Sequence, residues 1–219
     1  MLTETVVGVD VGGTYTDLFL YDAVNESCRV VKVVTDHGAQ AEGVERGLES
    51  FKASLGNLGS MIHGTTVGTN ALLQRTGARV GLITTKGFRD VLEMRRRDRP
   101  HTWGLWGHFD PIVPRYCRKE VQERTLADGT VMDAVNPSEI KSAARALLEH
   151  GVESVVVFFI NSYANHQNEK RAAEVLRTVW PNDYVSTSSE LLPEIREYER
   201  ASTAAINAYL QPVLGPYLN

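Results

Sequence analysis

The first third of the chain alternates between two hydrophobic periods. Thr5 to Val11, Leu18 to Tyr21 and Arg29 to Val34 are β-branched or apolar runs bounded by turn residues, and they predict three consecutive strands. Gly12-Gly13-Thr14 joins the first two tightly. From Ala39 to Leu55 the pattern lengthens: Val44, Leu48, Phe51 and Leu55 recur at steps of four, three and four, the single apolar stripe of an amphipathic helix. Met61-Ile62-His63 then predicts a strand that runs into Gly64-Thr65-Thr66, a short helix through Leu73, and a further strand at Arg79 to Thr84.

Between Lys86 and Asn136 periodicity is lost. Pro100, Pro111 and Pro114 interrupt the chain, Trp103 and Trp106 fall within it, and Asp128-Gly129 marks a hairpin turn between Arg124-Thr125-Leu126 and Thr130-Val131-Met132. This stretch reads as an irregular insertion, about 86–136, ending in a hairpin. Regular structure resumes at Asn136-Pro137-Ser138-Glu139, where an N-cap, an N1 proline and an N3 acid open a helix that closes at Gly151. Ile140, Ala144, Leu147 and Leu148 are its expected buried face. Val155 to Ile160 has no polar alternation and predicts a central strand covered on both faces. A helix near Glu169 to Val179, a strand at Tyr184 to Ser186 and a last helix from Pro193 to Leu210 follow, the last with Ile195, Tyr198, Ala205 and Tyr209 as its stripe.

Composition narrows the class. With 219 residues, 42% hydrophobic and 23% charged, the chain has the apolar mass for a globular core, and disorder, collagen-like and coiled-coil readings are excluded. The formal charge of −4 gives no global attraction to nucleic acid or to an anionic membrane, so neither is an expected partner. Cys28 and Cys117 make neither a disulfide framework nor a Cys/His metal pattern, which fits a reducing compartment. No basic n-region precedes Glu4, and the apolar run Val155 to Ile160 is too short to span a bilayer, so a soluble cytoplasmic protein is expected.

The sharpest chemical signal is Val9-Asp10-Val11-Gly12-Gly13-Thr14-Tyr15-Thr16-Asp17. Paired glycines let the backbone approach an anion closely, Thr14 and Thr16 offer hydroxyl donors to phosphate oxygens, and Asp10 at a strand end can hold a hydrated magnesium ion. It is neither a Walker A loop nor G-x-G-x-x-G before a helix. A plain β-turn is the competing reading of a bare Gly-Gly-Thr; the flanking Asp10 and Thr-x-Thr-Asp favour the phosphate loop. Gly64-Thr65-Thr66 ends a strand and opens a helix, a second place for a phosphate or a carbonyl oxygen, or simply an N-cap. His63 is a proton donor or an ordinary hydrogen-bonded histidine. Arg95-Arg96-Arg97-Asp98-Arg99-Pro100 is solvated surface, an anion clamp or a salt-bridged anchor. Trp103 and Trp106 wall a pocket, meet a partner or pack under the insertion, and His101 with His108 makes only a weak metal pattern. Glu194-Ile195-Arg196-Glu197-Tyr198-Glu199-Arg200 reads as a solvated helix start, with Glu197 near Arg200 and Arg196 near Glu199 or Arg200.

Asp-x-Gly-Gly-Thr on a β1-β2 hairpin resembles the first phosphate loop of the actin, sugar-kinase and Hsp70 ATPase superfold. Together with His63 to Leu73, Thr84 to Asp90 and Glu194 to Arg200, in that order, it is similar to the N-terminal domain of the hydantoinase A/5-oxoprolinase family. Tyr15 stands where that family usually has Phe, Gly68 replaces a common Ala, and His101 to Gly107 looks closer to the acetone and acetophenone carboxylase branch. The resemblance implies an α/β fold with a mixed sheet flanked by helices, of the actin/hexokinase (ribonuclease H-like) type. It also implies an N-terminal domain over 1–190 and the start of a following hydantoinase A domain over 191–219. Implied too are ATP and Mg2+ as cofactors. Asp10 and Asp17 would be catalytic, with Asp10 on the metal, and Gly12, Gly13, Thr14, Thr16, Gly64, Thr65 and Thr66 would hold nucleotide or substrate.

Activation of a small-molecule carbonyl by phosphorylation, for hydrolysis of a hydantoin or 5-oxoproline, is the implied reaction. The implied partners are the remaining C-terminal domains and a hydantoinase B-like subunit; the family runs several hundred residues past Leu210-Gln211-Pro212, so this stretch alone is expected to be inactive. A ketone carboxylase subunit and a non-catalytic assembly domain stay open. A repressor-type sugar kinase lacks support, because no Glu-x-Gly-His string is present. The motif 194–200 is expected at a junction between domains.

Overall fold

The computed structural model describes residues 5–35, 40–51, 58–98, 103, 107 and 109–218. The chain forms two compact units, Met1–Thr76 with Val213–Asn219, and Gly77–Pro212. Among the described residues, no helix is long and apolar enough to cross a membrane.

In the first unit, β1 (Thr5–Val11), β2 (Tyr15–Asp22), β3 (Ser27–Val34) and β4 (Leu58–Thr65) form a mixed sheet in the order β3-β2-β1-β4. The β1-β2 and β2-β3 ladders are antiparallel, and β4 joins β1 in parallel. Strand alternation sends Val7, Val9, Val11, Leu18 and Leu20 to one face, where they meet Val44 and Leu48 of α1 (Gln40–Ser50) and the adjacent Phe51. Each such side chain contributes about 1.5–3 kcal/mol on burial, which fixes the sheet register, since a slip of one residue would turn the whole set outward. The stripe at 44, 48 and 51 is as the sequence predicts; Leu55 lies outside the described residues. A side chain at Gly47 would overlap Leu18, so α1 lies close against β2. α2 (Val67–Leu73) follows β4.

The second unit is built on a parallel sheet ordered β10-β9-β5-β6, from β5 (Val80–Thr85), β6 (Arg118–Val121), β9 (Ser154–Phe158) and β10 (Val185–Thr187). Every residue of β5 and β9 is buried, in keeping with the unbroken apolar pattern of the expected central strand. The stretch 86–136 holds α3 (Val91–Met94), the sheet strand β6, and the small hairpin of β7 (Arg124–Thr125) and β8 (Val131–Asp133). The hairpin turns at Gly129, whose φ of +86° suits glycine. α4 (Pro137–Leu148) starts at Asn136, whose side chain accepts the Ser138 N–H at 3.0 Å. Its buried face is Ile140, Ala143, Ala144 and Leu147, with Ala143 in the place expected for Leu148. α5 (Gln167–Arg177) and α6 (Ser188–Leu191) complete this unit, together with most of α7 (Glu197–Leu218), whose residues from Val213 onward belong to the first unit.

α7 begins four residues later than the sequence predicts. Ile195 precedes it and is 67% exposed, so it is not part of the buried stripe. That stripe is made of small residues, Ala201, Ala204, Ala205 and Ala208, with Tyr209. The pairing expected within 194–200 is replaced as well. Arg200 is 0% exposed, and its guanidinium donates to the Phe159 carbonyl at 3.0 Å and to that of Glu194. Burial pushes the Arg200 guanidinium down, opposed by the charges of Glu169 and Glu197.

Candidate functional site

The loop that closes β1 and β2 is held from several directions. The Gly12 N–H donates to the Tyr15 carbonyl at 3.0 Å, and the Thr35 N–H donates to the Thr14 carbonyl at 2.9 Å. A Cβ on Gly12 would stand 2.9 Å from the Tyr15 oxygen, and one on Gly13 would stand 3.1 Å from Nδ2 of Asn70. Both positions are therefore shaped so that bare backbone, and not a side chain, borders the space beside the loop. That space is a hollow of about 410 Å3, walled by Gly12, Gly13 and Thr14 and by Asn70, Ala71 and Gln74 of the α2 region.

Gly64, Thr65 and Thr66 reach the same end of the sheet because β4 runs parallel to β1, with Asp10 opposite Gly64 and Val11 opposite Thr65. The Thr66 N–H donates to the Val11 carbonyl at 3.1 Å, and the Thr65 hydroxyl lies 3.4 Å from the same oxygen. The Val67 N–H donates to the Thr65 hydroxyl at 3.2 Å, and Asn70 Nδ2 donates to the Thr66 hydroxyl at 3.2 Å. Asp10 is exposed, and a Cβ on Gly64 would lie 3.8 Å from its Oδ1. Seven of the predicted residues, Asp10, Gly12, Gly13, Thr14, Gly64, Thr65 and Thr66, thus lie together at one end of the sheet.

Two predicted residues sit differently. Thr16 is fully buried on the α1 face, with its hydroxyl 3.0 Å from that of Thr35. It braces the hairpin from behind and does not face the hollow. The reason is strand alternation: Thr16 shares its face with Leu18 and Leu20. Asp17 lies across the ladder from Asp10 on the open face, and its carboxylate pairs with Lys32 at 3.1 Å. Asn70 was not singled out by the sequence reading, although its place one helical turn after Thr66 is the signal for it.

The remaining candidates are structural in character. Arg95 pairs with Asp98 at 3.0 Å and stacks 3.5 Å from the Phe109 ring, while Arg96 pairs with Glu199, so this stretch is the salt-bridged anchor among its three readings. Trp103 is 87% exposed, against the expectation of packing. Trp106, His101 and His108 lie outside the described residues. Among the described residues no group of three His, Cys, Asp or Glu side chains is placed to hold a metal.

The second unit holds a buried polar network that the sequence reading missed. Glu169 accepts from the Phe159 N–H at 2.8 Å, the Ser188 hydroxyl at 2.6 Å, and the Ser189 N–H and hydroxyl at 2.8 and 2.6 Å. Glu123 accepts from the Thr85 hydroxyl and from Asn168 Nδ2 at 2.9 Å, and burial pushes its carboxyl up. Both acids are shut off from solvent, and they tie the carboxyl ends of β5 and β9 to α5 and α6.

Several known proteins are similar to this chain. The family described as hydantoinase/oxoprolinase N-terminal region matches residues 6–180. An uncharacterised protein of Methanocaldococcus jannaschii is 39% identical over 97% of the chain and 32% of its own length. Caprolactamase subunit alpha of Pseudomonas jessenii is 33% identical over 97% of the chain and 32% of that protein. The crystal structure of the ATP-dependent caprolactamase from that organism superposes with a TM-score of 0.83 at 32% identity, over 97% of this chain and 32% of that one. The nucleotide-free structure of acetone carboxylase, described as part of the mechanism of ATP-dependent acetone carboxylation, gives 0.80 at 27% identity over 93% and 32%. The chain spans about a third of the length of these proteins.

Proposed function

Because the chain belongs to the hydantoinase/oxoprolinase family, we propose that it supplies the phosphate-loop portion of an ATP-dependent enzyme that activates a cyclic amide, a hydantoin or 5-oxoproline, for hydrolysis. The observation that carries this reading is that Asp10, Gly12-Gly13-Thr14 and Gly64-Thr65-Thr66 lie at one end of the sheet, where the glycine loop walls a hollow, in a chain similar to a protein described as ATP-dependent.

Within this reading, the bare backbone of Gly12 and Gly13 and the exposed hydroxyl of Thr14 receive phosphate oxygens, as glycine loops do. Thr65 and Thr66 contact nucleotide or substrate from the β4 side. Asp10 would hold a hydrated Mg2+, which would supply charge neutralisation on the phosphates. Asp17 keeps the hairpin oriented through Lys32. The amide oxygen of the substrate attacks the γ-phosphoryl group of ATP and ADP leaves, so the carbonyl carbon gains a leaving group. Water then adds to that carbon, the ring C–N bond breaks as its nitrogen takes a proton and an acyl phosphate remains, and a second water displaces phosphate from it to leave the carboxylate. The second half of the nucleotide site and a hydantoinase B-like partner belong to the rest of the assembly, with residues 191–219 leading into the following domain and the whole working in the cytoplasm.

The likeness to acetone carboxylase keeps a second reading in play, in which the same activation prepares a ketone for carboxylation. Phosphate release from ATP by the chain joined to its downstream region separates the two, with hydantoin, 5-oxoproline and caprolactam set against acetone and acetophenone with bicarbonate. Stimulation by a cyclic amide supports hydrolysis, and bicarbonate-dependent stimulation by a ketone replaces it with carboxylation. If no substrate raises the rate and Asp10→Ala changes nothing, the phosphate-loop reading fails and an assembly role stands instead.

A further inference from the structure

The hollow beside the glycine loop has a second wall that phosphate binding does not use. Asn70, Ala71 and Gln74 of the α2 region form it, next to the bare backbone of Gly12 and Gly13. The polar side chains around the hollow are hydroxyls and the two carboxamides, and none of the described residues that line it is charged. Its volume of about 410 Å3 lies within the range of about 300–1,000 Å3 that holds small molecules. The loop offers backbone to an anion, whereas α2 offers side chains to a neutral polar group.

Asn70 is the fixed member of that wall. It is half-buried, its Nδ2 donates to the Thr66 hydroxyl at 3.2 Å, and the same nitrogen stands 3.1 Å from the place a Cβ on Gly13 would take. One carboxamide thus holds the start of α2 and borders the glycine loop at once. Such a group has two N–H donors and an oxygen that can accept twice. The Thr66 contact uses one N–H, and among the described residues no hydrogen bond engages Oδ1. A donor and an acceptor remain on adjacent atoms, which is half of a bidentate pair.

The other half is an amide whose own N–H and C=O point the same way. Open-chain secondary amides are trans and point the two groups in opposite directions. A small ring forbids the trans form, so a cyclic amide presents N–H and C=O along one edge. We propose that the Asn70 carboxamide reads this cis-amide edge of the substrate, with Oδ1 accepting from the ring N–H and Nδ2 donating to the carbonyl oxygen. The inference rests on the reading of the hollow as the place where ATP activates a cyclic amide, and it names the residue that selects the ring. The carbonyl oxygen keeps its second lone pair for the γ-phosphoryl group. As the O–P bond forms and the bond to ADP breaks, electron density moves from the ring nitrogen toward oxygen, and the N–H gains positive charge. Its hydrogen bond to Oδ1 becomes charge-assisted and stronger than in the ground state, so the contact lowers the barrier as well as binding the ring.

Substrate analogues test this without mutation, by phosphate release from ATP in the protein joined to its downstream region. Caprolactam should exceed N-methylcaprolactam, which has no N–H, and N-ethylbutanamide, which is open-chain and trans, by at least about tenfold in kcat/KM. Asn70→Ala should lower kcat/KM for caprolactam by at least about tenfold, with most of the loss in kcat, and bring the preference over both analogues down to about threefold or less. A packing role alone would scale all three amides together and leave the preference intact. Equal kcat/KM for the three amides in the unaltered protein overturns the proposal, and so does an Asn70→Ala protein that retains the preference. If a ketone stimulates phosphate release and no amide does, the proposal falls while the phosphate-loop reading stands. If no substrate stimulates and Asp10→Ala changes nothing, both fall.

Discussion

Gly12→Ala tests whether the loop geometry matters to ligand binding. The added Cβ would sit 2.9 Å from the Tyr15 carbonyl oxygen, a backbone atom that cannot swing aside as a side-chain tip would. Relief requires the turn to open, which stretches the 3.0 Å bond between the Gly12 N–H and that same oxygen. Forcing an extra carbon into a packed position costs about 1–3 kcal/mol, and the weakened hydrogen bond adds about 0.5–1.5 kcal/mol. The expected total is about 1.5–4.5 kcal/mol on the first unit, or a fall of about 6–18 °C in its melting at roughly 4 °C per kcal/mol. Differential scanning calorimetry, with and without Mg-ATP, reads both the stability and the ligand effect. Nucleotide affinity should fall at least tenfold, since the same movement displaces Gly13 and Thr14. Gly64→Ala is the steric contrast, because its Cβ would meet Asp10 Oδ1 at 3.8 Å, an ordinary contact, and its melting should stay near that of the parent. If Gly12→Ala melts like the parent and binds nucleotide as tightly, the loop is not the anion cradle described above.

Three further substitutions probe the rest of the structure. Thr16→Val leaves the Thr35 hydroxyl without its buried partner and should cost about 1–2 kcal/mol in urea unfolding while nucleotide affinity stays within about twofold; lost affinity at full stability would return Thr16 to the phosphate site. Burial raises the Glu123 carboxyl above its ordinary value of 4.5, so its favourable contribution is complete below that value and is lost as pH rises through the folded one. The melting temperature of Glu123→Gln minus that of the parent should therefore increase between pH 4 and pH 8, and a flat difference would refute the buried-acid account. Glu169→Gln turns an amide donor toward the Ser189 N–H and removes the charge facing Arg200; a loss of about 2–4 kcal/mol is expected in chemical denaturation, and a change below about 0.5 kcal/mol would mean the network is not buried as described.

Local signals carried the elements whose stability is local. The β-branched runs predicted β1, β2 and β3, and Asn136-Pro137 marked the start of α4 to the residue. β6 was not legible, because Arg-Lys-Glu-Val has the composition of a surface loop. Its Arg118 is buried only because the Val113 and Arg89 carbonyls and Glu93 receive the guanidinium, and the sequence does not bring those groups together. Arg200 follows the same logic: spacing arithmetic assigned it to Glu197, whereas its partner at Phe159 is 41 residues away. The site was legible as a set of motifs, but not in the direction of each side chain. Thr16 was assigned by its hydroxyl, although the alternation through Leu18 and Leu20 already placed it on the buried face.

Carboxylates differ in what surrounds them. Asp22 accepts from Asn25, Asp90 from Arg115 and Asp128 from Thr130, and these donors hold all three below the usual carboxylate range. Asp17 pairs with Lys32, and Glu123 and Glu169 are enclosed in hydrogen bonds. Asp10 is exposed at a strand end, and among the described residues no hydrogen bond or ion pair engages its carboxylate. A carboxylate with no internal partner contributes little to the fold, so substituting Asp10 tests the proposed ligand role with little cost to packing. Asp10→Ala therefore removes charge from the end of the sheet beside Gly64 without breaking a contact, and a loss of nucleotide-dependent activity in that variant reports on the site itself and not on unfolding.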